Sequence, residues 1–352
     1  MALIYDSATP KVLCYDFFVP ETEVVADSLA VRGSQVLATV QVAVIGYGNQ
    51  GTSHALNLRD SGIAVTVGGR LGSESLRRAH EDGFAESEAA QAAAGADLVI
   101  VALPDECHGV ACPPLLEAMK PNAVIGFLHG FSVHFRQVNC PPQRGVVLVA
   151  PKGPGSALRA RFLEGFGIPS LVAVHQGGID PPRAEDLALG WAHAIGSGRA
   201  GIIRTTFKDE TETDLFGEQA VLCGGLGELI RIAYETLVEA GYPPLLAYTE
   251  CCHEVKQIAD LICDRGIAGM GNAISNTARF GAADAGERLI DSSVRTRMRA
   301  VLRDIQDGSF AERMIADGQA GSPVLRAARA KSSAHPIEAS GRSLRALLPW
   351  LK

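Results

Sequence analysis

A chain of 352 residues, 47% hydrophobic, 6% aromatic and with 38 glycines, has the makeup of a compact α/β protein, and it is long enough for two domains because a single core stops growing near ~250–300 residues. A net charge of −7 supplies no basic field for nucleic acid or an anionic membrane, which leaves room only for a local basic pocket. Eight cysteines without a CxxC pair, early acids (Asp6, Asp16, Glu21, Glu23, Asp27) in place of a leader pattern, and no apolar run near the ~18–20 residues that span a bilayer lead us to expect a reduced, cytoplasmic protein with no membrane segment.

Residues 1–40 carry no legible pattern and are set apart as an N-terminal extension. From 41 to 206, short apolar β-branched runs alternate with helical patterns: Val42–Ile45, Ile63–Val67, Leu98–Leu103, Ala123–Leu128, Val146–Val149, Leu171–Val174 and Gly201–Arg204. Alternation of this kind predicts parallel strands buried on both faces, a Rossmann-like doubly wound sheet. After Thr206 the β-branched runs vanish, and 3.6-residue periodicity over Leu215–Ala240, Pro244–Cys263, Ser292–Asp307 and Ser343–Leu351 predicts an all-α domain over 207–352. Thr213 is the expected N-cap of the first of these helices, and Gly241 with Pro243 and Pro244 its stop.

Gly46-Tyr47-Gly48-Asn49-Gln50-Gly51 follows the first strand and opens a helix. In that context GxGxxG predicts dinucleotide binding, the glycines allowing a tight turn and close approach of a pyrophosphate to the helix N-terminus. A bare glycine turn without a ligand is the plainer reading, and the strand–turn–helix setting weighs against it. The second strand runs into Gly68-Gly69-Arg70-Leu71-Gly72-Ser73-Glu74-Ser75, with no acid at its end to hold a ribose 2′-hydroxyl. Arg70 beside Ser73 and Ser75 suits a 2′-phosphate, so NADPH is expected over NADH, against the added charge of Glu74.

Asp214 and Glu218 lie one helical turn apart, as do Glu250 and Glu254. One such pair normally means a solvated surface. Two pairs among apolar neighbours (Val221 and Leu222; Leu246, Ala247, Ile258 and Leu261) predict carboxylates that need a partner, and an all-oxygen set suits two Mg²⁺ ions. His253 falls off the face shared by Glu250 and Glu254 and is expected to pack elsewhere.

The motif series GYGNQG (46–51), LPDE (103–106), HGF (129–131), APKGPG (150–155), ETETDLFGEQAVLCGG (210–225), ECCHE (250–254), ISNTA (274–278) and HPIE (335–338) resembles that of the ketol-acid reductoisomerases, of the short bacterial class I type. The resemblance runs from about residue 42 to the C-terminus. It implies a Rossmann domain followed by a knotted helical domain, and magnesium- and NADPH-dependent 1,2-alkyl migration and reduction of 2-acetolactate or 2-aceto-2-hydroxybutyrate in branched-chain amino-acid synthesis. By position, it implies His129, Lys152 and Glu254 as catalytic residues, and Asp214, Glu218, Glu250 and Glu254 as metal ligands, Asp214 bridging the two ions. Ser275 matches the contact to the substrate carboxylate. Residues 46–51, Arg70, Ser73, Ser75, Asp105, His108 and Gly155 match cofactor contacts. It also implies a homodimer or higher homo-oligomer in which Glu250, Glu254 and Ser275 complete the partner's site.

Several residues depart from the family pattern: Asn49 and Thr52 in the glycine turn, His108 for a usual Gln, and Asn272, Asn276 and Arg279 around Ser275 for a usual Tyr, Asp and Glu. Retained ligands with an altered pocket leave a second reading, a divergent member that isomerises or only reduces another 2-keto-3-hydroxy acid. A third is a catalytically silent dinucleotide-binding module, against which the retained carboxylates argue.

Overall fold

The computed structural model describes residues 23–349. Eight strands form one sheet: β1 (Val42–Ile45), β2 (Val65–Gly69), β3 (Glu86–Glu88), β4 (Leu98–Val101), β5 (Val124–Phe127), β6 (Gly145–Pro151), β7 (Ser170–Gly177) and β8 (Ile202–Arg204), in the order β3-β2-β1-β4-β5-β6-β7-β8. Every residue of β1, β4, β5 and β6 is buried, as strands covered on both faces must be. One face packs on α1 (Asp27–Leu37), α2 (Asn49–Asp60), α3 (Glu74–Glu81), α7 (Gly155–Leu163) and α8 (Pro181–Ala194). The other packs on α4 (Ala89–Gly95) and α5 (His108–Ala118), with the short α6 (Phe131–His134) beyond them.

The structure corrects several expectations within this half. β3 is a three-residue polar edge strand that no apolar pattern announces. Pairing is parallel through β6, but β7 runs antiparallel to it: Lys152 donates its N–H to the Pro169 carbonyl, so the chain folds back on itself there and makes no crossover. Part of the segment set apart as an extension belongs to the core. α1 buries Ala30 and Leu37 and lies along α8, and Val24 bridges to Ile203 at the β8 edge. The remaining expectations for residues 1–22 fall outside the described residues.

The helical half comprises α9 (Phe207–Gly217), α10 (Gly224–Glu239), α11 (Pro244–Tyr248), α12 (Val255–Ala273), α13 (Asn276–Leu289), α14 (Ser292–Gln306), α15 (Ser309–Gln319), α16 (Pro323–Ala334) and α17 (Pro336–Ala346). The first helix begins earlier than expected. Thr206, not Thr213, is its N-cap, accepting a hydrogen bond from the Asp209 N–H, while Thr213 sits mid-helix and donates to the Asp209 carbonyl. Each of the two long helices expected here is interrupted by a wider π turn, Glu218–Leu222 in one and Thr249–His253 in the other. The last helix starts at Pro336, where His335 accepts from the Ile337 N–H and its other ring nitrogen lies 3.0 Å from Glu235.

Burial also differs from expectation. Val221, Leu222, Leu246 and Ile258, the apolar company of the acid pairs, are exposed in the single chain, and Ala247 is buried. The first helical layer instead meets the sheet through Gly130, where an added Cβ would strike the Thr211 hydroxyl and come within 2.7 Å of the Phe207 carbonyl. Gly130→Ala therefore forces α9 off the sheet. We expect a loss of about 1–3 kcal/mol, read as a melting temperature several degrees lower in scanning calorimetry. An unchanged melting temperature would mean that α9 does not seat on this glycine.

Candidate active site

Because the strands from β3 to β6 are mutually parallel, the loops after them gather along one sheet edge, at the switch point where β1 lies between β2 and β4. Gly46 turns the chain after β1 with φ +100°, a Cβ on Gly51 would strike the Gly46 carbonyl, and Gly48 faces open space at the start of α2. That geometry leaves the N-terminus of α2 open to an approaching pyrophosphate. The loop after β2 carries exposed Arg70, and Ser73 caps α3 by accepting from the Leu76 N–H with its hydroxyl 3.2 Å from that of Ser75.

Five further side chains meet beside this turn. Asp105 follows β4, His129 follows β5, Lys152 follows β6, and Glu210 and Asp214 descend from α9. His129 Nδ1 lies 2.7 Å from Asp105 Oδ2, and its Nε2, with no hydrogen-bond partner, faces Asp214 Oδ2 at 3.8 Å. Lys152 Nζ donates to Glu210 Oε1 at 2.8 Å and to Asp214 Oδ1 at 2.9 Å, and Glu210 Oε2 accepts from the Gly130 N–H. Ligand atoms of His129, Glu210 and Asp214 all lie within 4.8 Å of one another.

The charges here are mutually dependent. Burial works against a charged His129 ring, but hydrogen bonding to Asp105 and the fields of Asp105, Glu210 and Asp214 outweigh it and raise its pKa to about 9. Burial likewise opposes a charged Lys152, and Glu210 and Asp214 overcome it, raising its pKa. Glu218 is pushed upward by burial and then by the adjacent Asp214 carboxylate. Two carboxylates crowded in this way, Asp214 and Glu218, fit a divalent cation.

Residues 36–201 match the family described as acetohydroxy acid isomeroreductase, NADPH-binding domain, and residues 207–350 match ketol-acid reductoisomerase, C-terminal domain. The chain belongs to the ketol-acid reductoisomerase family. Among solved structures, it is similar to an NADH-preferring ketol-acid reductoisomerase from an uncultured archean, with 40% identity and a TM-score of 0.87 over 94% of this chain and 100% of that one. A semialdehyde dehydrogenase NAD-binding protein from Cupriavidus necator, in complex with calcium and NAD, shares the fold at 19% identity and TM-score 0.59, over 76% of this chain and 99% of its own. So does a 1-pyrroline-5-carboxylate reductase from Streptococcus pyogenes at 14% identity and TM-score 0.51, over 76% and 98%.

Within this reductoisomerase the expected site residues divide into two groups. Asp105, His129, Lys152, Asp214 and Glu218 converge. Glu250, Glu254 and Ser275 are exposed and make no hydrogen bond or ion pair with that cluster; Ser275 caps α13 through the Ala278 N–H. Several expected cofactor contacts have side chains already engaged. Tyr47 is buried, with its hydroxyl 2.7 Å from Asp82; Gln50 donates to the Gly153 carbonyl; Asn49 accepts from the Ser156 N–H; and the Gly155 carbonyl accepts from Ser53. These contacts fasten α2 to α7, so what positions 47–50 and 155 offer a cofactor is mainly backbone. The His108 ring is also buried, 2.5 Å from Ser132 Oγ and 3.0 Å from the Leu103 carbonyl, and has no nitrogen to spare for a cofactor.

Two residues were missed. Glu210 stands four before Asp214 and eight before Glu218, and extending the one-turn rule N-terminally would have found it. Arg78 reaches from α3 to the Tyr47 carbonyl at 3.2 Å, a contact for which the sequence holds no signal.

Asp105→Asn should expose the His129–Asp105 pair to a pH test with divalent ions chelated. His129 has a raised folded pKa, so its contribution to stability is full below its unfolded value near 6.5 and is lost as pH rises through about 9. We expect the variant to be about 2 kcal/mol less stable than the parent at pH 6 in denaturant titrations, with the gap closing by pH 9.5. A gap independent of pH would show that the pair is not charged.

Proposed function

We propose that this reductoisomerase converts 2-acetolactate or 2-aceto-2-hydroxybutyrate to the 2,3-dihydroxy acid, using two Mg²⁺ ions and NADPH, in cytoplasmic branched-chain amino-acid synthesis. The observation that carries this reading is the meeting of His129, Lys152, Glu210 and Asp214 beside the glycine turn, with Glu218 in the field of the same charges. When bound, the metal pair would supply Lewis acidity to the substrate's ketone and hydroxyl oxygens, and the nicotinamide a hydride. Asp214 and Glu218 would hold the ions from this subunit; Lys152 keeps Asp214 oriented through its Oδ1, and His129 is held by Asp105 with Nε2 directed at the same carboxylate. The alkyl group moves between adjacent carbons as the hydroxyl proton leaves, and Glu254 with Lys152 would take and return protons.

Glu250, Glu254 and Ser275 would come from a second copy. Their distance in function from the cluster within one chain supports a homodimer with shared sites, as do the exposed Val221, Leu222, Leu229, Ile232 and Leu246, an apolar surface that a lone subunit would leave in water.

The deciding experiment follows NADPH oxidation with Mg²⁺ and 2-acetolactate, run beside 3-hydroxy-3-methyl-2-oxobutanoate, the isomerised acid. Turnover of both is expected, and Asp214→Asn should abolish it while NADPH still binds. Reduction of the second acid alone would favour a divergent reductase, for which the altered residues 272–279 speak. Silence on both would overturn the substrate assignment.

The cofactor preference rests on Arg70, whose exposed guanidinium stands at the end of β2 where a 2′-phosphate would lie. Arg70→Ala should lower kcat/KM for NADPH at least tenfold and leave that for NADH nearly unchanged; equal losses for the two would remove the 2′-phosphate reading.

A further inference from the structure

A cavity of about 640 Å³ opens away from the active site, between the turn that follows α6, the β6–β7 pair and the first turn of α9. Its lining is mixed, with the buried Val133, Val138, Val146 and Phe207 supplying the apolar part, and it forms where the β6–β7 register slips between Val146 and Val147. Two cations line it, Arg136 and Lys208, and among the described residues neither has a carboxylate within ion-pair distance. No Asp or Glu is among the lining residues. Glu212 lies 3.3 Å from His134 Nε2 and accepts from Gln306, and Asp209, which follows Lys208 on α9, is exposed and is not among the lining residues. In a chain of net charge −7, this is a local reversal of sign.

Arg136 sits there in strained backbone. Its φ of +56° makes it one of two non-glycine residues in the left-handed region among those described. An arginine in that conformation costs roughly 1 kcal/mol that glycine or asparagine would avoid, and the bend places its guanidinium at the cavity. Burial lowers the pKa of His134 despite Glu212, and the His175 ring packs edge-on against Phe207, ring centres 5.4 Å apart.

We propose that this cleft is a second binding site that takes a small organic carboxylate with an aliphatic or aromatic body, Arg136 and Lys208 holding the carboxylate and the valines and Phe207 its body. The size suits such a ligand, and a planar guanidinium beside a flexible ammonium suits a carboxylate head. The site lies at the opposite end of α9 from Asp214, about 9 Å along the helix at 1.5 Å per residue.

Calorimetric titration of the full chain with hexanoate and benzoate, beside hexan-1-ol and hexylamine, tests this. Both carboxylates should bind and the alcohol and amine should not, and Arg136→Ala or Lys208→Ala should each weaken binding at least tenfold. Both residues are exposed, so the variants should fold normally, which circular dichroism checks. Arg70→Ala, which removes an exposed cation beside the glycine turn that forms no ion pair among the described residues, should leave carboxylate affinity unchanged. Equal binding of hexan-1-ol, survival of binding in the Arg136/Lys208 double variant, its loss in Arg70→Ala, or no heat at millimolar probe would each overturn the proposal. So would binding that develops only after residues 2–22 are removed, which would make the chain's own N-terminal segment the occupant.

Discussion

Glu210 carries a carboxylate into a place where only 1% of the residue reaches solvent, and the joining of the two halves follows from how that charge is satisfied. One oxygen takes the Lys152 ammonium from the end of β6, the other the Gly130 N–H from the end of β5. Both partners come from the sheet and the acid from the helix, so α9 cannot leave its seat without stranding a buried charge. Stranding one typically costs about 3–5 kcal/mol. Asp214, one turn further along α9, is thereby held within reach of both Lys152 and His129.

The same fastening explains how much of the molecule was legible. Strands buried on both faces announce themselves by apolar runs, and seven of the eight were found within a few residues. β3 was lost because an exposed edge strand of Glu-Ser-Glu has no apolar signal at all. α1 was lost because Gly33 and Ser34 dilute its pattern, although the helix lies along α8 with its glycine facing Gly190. In the helical half, periodicity marked where helices exist but not where they start, since Thr206 and Thr213 are equally good caps by composition and only the sheet's end at Arg204 chooses between them.

For the site, the sequence marks several of the residues that gather but not the contacts their side chains make. Asp105 was expected at the cofactor and is found holding His129; Tyr47, Asn49 and Gln50 lie in the glycine turn but spend their side chains on Asp82, Ser156 and Gly153. Such hydrogen bonds link residues 24 to 107 positions apart, and no local pattern encodes them. The antiparallel β7 belongs to the same class of surprise. Between β6 and β7 the chain passes through α7, which docks on α2 across a hundred residues of sequence.

Both acid pairs stand at π turns, Glu218 opening one and Glu250 lying within the other. A π turn amounts to one residue more than an α-helix needs, absorbed locally, and the α form of the same stretch has the better hydrogen bonds. Each pair therefore marks a single-residue insertion that ordinary helix energetics would tend to discard. The length of the chain is itself part of the site: shortening either turn by one residue would let the helix relax and keep its packing downstream, while moving a carboxylate around the helix axis. A lineage that lost the need for these acids would have an easy route to a smoother helix, and this chain has taken it at neither place.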